Sequence, residues 1–141
     1  MASANVFQPN RLTNRQGLEA HVTGPDGANR LFTYSGMAEV ELCGGLPHPR
    51  WSLEVVCFDI GRVYDTANGE DVINIVATAS LAGTRTDGVA SFAGWPIFGA
   101  AGELDNDSNR VRMNIAAGAR DTQAFLEQIS FHINVLAKVN E

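Results

Sequence analysis

Three histidines, two cysteines and sixteen carboxylates are the residues with which this 141-residue chain would do acid–base, nucleophilic or metal chemistry. His21, His48 and His132 stand far apart, and none has a Cys, His or carboxylate partner at a zinc-site spacing. His48 lies between Pro47 and Pro49, while His21 and His132 fall on the polar faces of predicted strands. All three read as structural or solvated side chains. Glu39 and Glu41 share one strand face, but paired carboxylates serve acid–base chemistry only when their surroundings split their pKa values. On a solvent-facing strand they read as surface charge.

Asp105-Asn106-Asp107-Ser108-Asn109 places oxygen-bearing side chains at alternate positions, as the start of a calcium loop would. The EF-hand pattern then needs Gly at its sixth position and Glu at its twelfth. Here those positions hold Arg110 and Ala116, so the segment reads as a solvated turn. Its Asn106-Asp107-Ser108 match to a glycosylation acceptor lacks the secretory signal that would make it meaningful. No nucleophile elbow, P-loop or dinucleotide fingerprint occurs. Cys43 and Cys57 are too few for a disulfide framework, and both sit in strand patterns where free Cys behaves as a small hydrophobe.

The segment Gly94–Gly102 is apolar, aromatic and glycine-rich, and it fits neither strand nor helix well. Trp95, Ile97 and Phe98 would anchor a partner, line a pocket together with Trp51, or fold over the sheet to complete the core.

The elements that must position these groups are β-strands. Apolar/polar alternation marks Leu18–Thr23, Leu31–Tyr34, Met37–Cys43, Trp51–Phe58, Asp71–Leu81, Val89–Ala93, Val111–Ala116 and Ser130–Lys138. In the first, Leu18, Ala20 and Val22 form the apolar face. Gly24-Pro25-Asp26-Gly27, Asn68-Gly69 and Thr86-Asp87-Gly88 supply turn chemistry, Asn-Gly being a hairpin signal. Gly44-Gly45 and Pro47–Pro49 break the chain. Near the C-terminus the alternation of Phe131, Ile133, Val135 and Ala137 competes with helical spacing of Leu126, Ile129, Ile133 and Leu136. The reading is a helical turn over 121–127, capped by Asp121, followed by a strand. Short strands separated by turns predict an all-β fold, a jelly-roll-like or other antiparallel sandwich, with a closed barrel as the alternative.

A length near 150 residues suits one domain with a sizeable core. Residues 1–17 are polar and aperiodic and read as an extended N-terminal arm on a β domain spanning 18–141. The net charge of −6 disfavours nucleic acid and anionic membranes as partners. No apolar run is long enough to cross a bilayer, and the first residues do not read as a signal peptide, so the expectation is a cytoplasmic protein or part of an assembled particle. Nine Arg against one Lys is a weak pointer to protein interfaces.

The functional expectation is a non-enzymatic structural subunit acting through protein–protein contacts, without a cofactor. It would associate with itself and with another structural protein, as a bacteriophage capsid decoration or tail protein does. Phe7, Arg11 and Arg15 of the arm and Trp95, Ile97 and Phe98 of the aromatic segment are its interface candidates. The alternative is a β-barrel or sandwich that binds a small apolar ligand or carbohydrate.

Overall fold

The computed structural model describes residues 5–24, 27–43, 51–88, 93–120 and 123–140. Eight strands are placed: β1 (Asn5–Phe7), β2 (Arg11–Gly24), β3 (Gly27–Cys43), β4 (Trp51–Ile60), β5 (Asp71–Thr86), β6 (Ile97–Asp105), β7 (Arg110–Arg120) and β8 (Ala124–Lys138). They form two four-stranded sheets, β1-β4-β7-β6 and β2-β3-β8-β5, packed as an all-β sandwich. All pairings are antiparallel except β1 with β4. The sheets do not join into a closed barrel.

Alternation drives the packing. Val56, Phe58 and Ile60 of β4 and Val111, Met113 and Ile115 of β7 face Phe32, Ala38, Val40, Phe131, Ile133 and Val135 of the second sheet, all buried. Phe58 and Phe131 meet across the interface with ring centroids 4.8 Å apart. Burying such side chains contributes about 1.5–3 kcal/mol each.

Several sequence expectations change once neighbours are fixed. The expected arm is placed from Asn5 onward, and it is sheet: residues 5–7 pair with β4, and β2 runs from Arg11 through the 17/18 boundary. Between Thr13 and Gln16, β2 carries one extra residue relative to β3. This bulge inverts the strand's faces. Glu19, not Leu18, therefore shares a side with buried Phe32, while Leu18 lies opposite Thr33 and is 74 % exposed. Arg30 Nε compensates by donating to Glu19 Oε1 at 3.0 Å.

Asn68-Gly69 is not a hairpin. It closes a 3-10 turn, Thr66–Asn68, in the connection that carries the chain from β4 in one sheet to β5 in the other. Gly69 adopts φ +91°, the left-handed conformation that gave the hairpin-like signal. No helical turn follows Gln123; β8 is already extended at Ala124. Its side-chain phase slips around Glu127-Gln128, so both Leu126 and Ile129 turn inward, which reproduces helical spacing in an extended chain. Ile97–Phe98 and the small residues behind them are strand β6, held by pairing with β7 despite their weak intrinsic preference. The predicted strand at Val89–Ala93 lies outside the described residues up to 92, as do Pro25-Asp26, the 44–50 break with His48, and Asp121.

Candidate functional site

The outward face of β4, β7 and β6 divides into a polar and an apolar half. In the polar half the register aligns Asp59, Arg112 and Glu103 in one row and Cys57, Asn114 and Ala101 in the next. Arg112 donates from Nη2 to Asp105 Oδ2 at 2.6 Å and from Nε to Asp59 Oδ1 at 3.3 Å. The Asp107 backbone N–H, Ser108 and Arg112 together hold Asp105 below the ordinary carboxylate range. Cys57 Sγ donates to Asn114 Oδ1 at 2.8 Å, and burial pushes its thiol pKa up. A thiol biased toward its protonated form is a poor nucleophile. These groups are matched to one another as a static ion-pair and hydrogen-bond network.

The 105–109 segment is a hydrogen-bonded turn in which Asn109, at φ +54°, donates its N–H to Asp105 O. Among the described residues, no three His, Cys, Asp or Glu side chains converge as a metal would require. His132 is exposed on the outer face of the other sheet, opposite Ser35 and Thr78. Glu39 is held by Arg11, which donates from Nε and Nη2 to its two oxygens at 3.0 and 2.8 Å and lowers its pKa. Glu41 is exposed.

The apolar half is built on small residues. Val55, Ala116 and Gly99 align in one row, and Leu53 sits opposite Gly118 in the next. The bulge between Ile97 and Gly99 leaves Phe98 as the extra residue, 60 % exposed, beside Leu53 at 39 %. Gly118 makes this surface possible. A Cβ there would stand 2.6 Å from Ser52 O and 3.2 Å from Leu53 Cδ2, with Phe98 Cε2 at 3.6 Å.

The six sequence candidates do not gather in one place. Phe7 pairs with Val56 at the β1 edge of the first sheet, whereas Phe98 belongs to the opposite edge strand, β6. Arg11 is exposed and engaged with Glu39, and Arg15 is exposed on β2, an edge of the second sheet. Trp95 and Ile97 are half-buried and pack against the core, leaving Phe98 outside. Sequence reasoning missed Leu53 and Gly118. Leu53 carries a usable signal, because Leu53, Val55 and Cys57 oppose Val56 and Phe58, and only one of these faces can be the core.

Three open grooves of about 630, 330 and 370 Å³ lie elsewhere, and Trp95, Ile97 and Phe98 line none of them. Comparison with protein-family models, curated proteins and solved structures gives no match.

Proposed function

We propose that the protein is a non-enzymatic structural subunit that works by assembly, with the Phe98–Leu53 face as its principal contact. The carrying observation is an exposed aromatic and an exposed leucine on a flat floor of Gly99, Ala116 and Gly118. Large side chains standing over small ones form the kind of apolar patch through which proteins associate, and aromatic anchors dominate such contacts. A second copy of the chain and another structural protein are the partners. A capsid decoration or tail protein of a bacterial virus is one setting for such a subunit.

The reading is tested by native mass from light scattering over a concentration series, for the wild-type chain and Phe98→Asp. A wild-type oligomer that Phe98→Asp dissociates without loss of the folded β signature is expected. A monomeric wild type, or an oligomer indifferent to the substitution, overturns this self-association. The ligand-binding alternative calls for Trp51, Trp95 and Phe98 in one site; Trp95 packs against the core, Phe98 is exposed, and the Trp51 side chain lies outside what the structure describes.

A further inference from the structure

The groove lined by Gln8, Pro9 and Cys57 follows from an early strand ending. Among the described residues, β1 pairs with Glu54, Val55 and Val56 of the ten-residue β4 and stops at Phe7. Pro9, which has no N–H to donate, follows after Gln8, and the chain leaves for the other sheet, where Asn10 N donates to Glu39 O at 2.8 Å. β4 continues through Cys57–Ile60 with β7 on one side and, among the described residues, no strand on the other. Alternate residues of an antiparallel strand direct their N–H and C=O away from the partner, so this stretch presents unpaired backbone donors and acceptors.

The space beside it is a groove of about 630 Å³, lined by Gln8, Pro9 and Leu12 on the incoming segment, by Cys57, Phe58 and Asp59 of β4, and by Arg110 and Arg112 of β7. Its guanidinium groups differ in their engagements. Arg112 is spent on Asp59 and Asp105. Arg110 donates Nε to the Gly61 carbonyl at 3.0 Å, and no carboxylate among the described residues pairs with it. Its terminal nitrogens suit a carboxylate, which binds arginine through parallel hydrogen bonds.

We infer that the Cys57–Ile60 edge of β4 is an acceptor for an extended segment of a partner protein, whose backbone pairs with β4 and whose acidic side chain pairs with Arg110. An extended peptide supplies both donors and acceptors to the edge, and its side chains supply specificity. A small anion offers acceptors alone. This surface lies at the β1 edge, away from Phe98, and does not depend on the association proposed above.

The test titrates the full-length protein with the peptide Ac-Thr-Val-Asp-Val-Thr-NH2, its Asn counterpart, and acetate. Backbone amide NMR shifts are followed at Cys57–Ile60. The Asp peptide should shift these amides saturably and bind about tenfold more tightly than the Asn peptide, the scale of one charge-assisted hydrogen bond. Arg110→Gln should remove that preference, Arg110→Lys should retain part of it, and Phe98→Asp should leave it unchanged. Iodoacetamide gives a second readout: bound peptide should slow alkylation of Cys57, which lines the groove, and leave exposed Cys43 untouched. Absent shifts, equal binding of both peptides, shifts reproduced by acetate, or a preference that survives Arg110→Gln would each overturn the inference.

Discussion

Glu70 shows how one side chain fixes a connection between sheets. It is 4 % exposed, and both its oxygens accept from Arg62 Nη2 at 3.0 Å. The backbone N–H groups of Asp65 and Asn140 donate to it at 2.8 Å each, tying the β4–β5 connection to the chain end. Arg62 also lies over the rings of Phe32 and Tyr64, at 5.6 and 5.5 Å. Burial opposes ionisation of Glu70, but the two N–H donors and Arg62 outweigh it and lower its pKa from the ordinary 4.5. Glu70→Gln keeps an acceptor for the N–H groups and loses the charge; Glu70→Ala strands them all. The expected losses of stability are about 1–2 kcal/mol for Gln and about 2–4 kcal/mol for Ala, read by urea denaturation at neutral pH. Because the folded-state pKa is depressed, Glu70's contribution is present above about pH 4.5 and is lost as pH falls through the folded value. Stability should therefore fall as pH drops below about 4.5, and less steeply in Glu70→Gln. Glu39 and Asp105 also titrate low, so the variant removes only a share of the slope.

At the scale of the strand, the decisive feature is which face turns inward, and one extra residue reverses it. The bulge in β2 places Leu12 against the core but turns Leu18 to solvent. The bulge in β6 acts one residue later: Ile97 packs inward, Phe98 is the extra residue, and Gly99 is carried to the outward side opposite Ala116. β7 needs no such device: its odd-numbered residues from Val111 to Ala119 are buried throughout. The exception on its even-numbered side is Gly118, which is buried under Leu53 and Phe98. Gly118→Ala would press a methyl group into Ser52 O, a backbone atom that must move. The expected cost is about 1–3 kcal/mol of stability, the range for overpacking, and thermal denaturation measures it. Displacing Leu53 and Phe98 should also weaken self-association in light scattering, which separates this position from an ordinary buried alanine.

For the whole molecule, the two sheets leave different kinds of surface at opposite edges of the first sheet. Near β6 the surface is apolar and flat, suited to packing against a second folded surface. Near β1 it is a groove where, among the described residues, no strand covers the Cys57–Ile60 edge and no carboxylate pairs with Arg110, suited to an extended segment. Phe98→Asp and Arg110→Gln should therefore act independently: the first should abolish the oligomer and spare peptide binding, and the second should do the reverse. Double-mutant additivity is the measurement, and sites this separated should add within about 0.5 kcal/mol. Strong coupling would mean one shared surface in place of two.

The all-β class was legible in the sequence, because period-two alternation in segments such as Val111–Ala116 buries one face only in an extended chain, although the C-terminal segment also carried helical spacing. That Glu39 carries charge on a strand face was legible, but its pairing with Arg11, 28 residues away, was not. Phe98 was visible as a candidate, but its separation from Trp95 and Ile97 was not. Bulges, edge positions and strand order were decided only in three dimensions, since each depends on the register between segments distant in sequence. The open edge at Cys57–Ile60 is the clearest case. Cys57 was read in the sequence as a strand residue, yet only its placement beside Pro9, with Arg110 reaching over from β7, makes a groove. Local alternation fixes which residues seek the core, while the pairing of strands determines which backbone groups and charges are left without a neighbour.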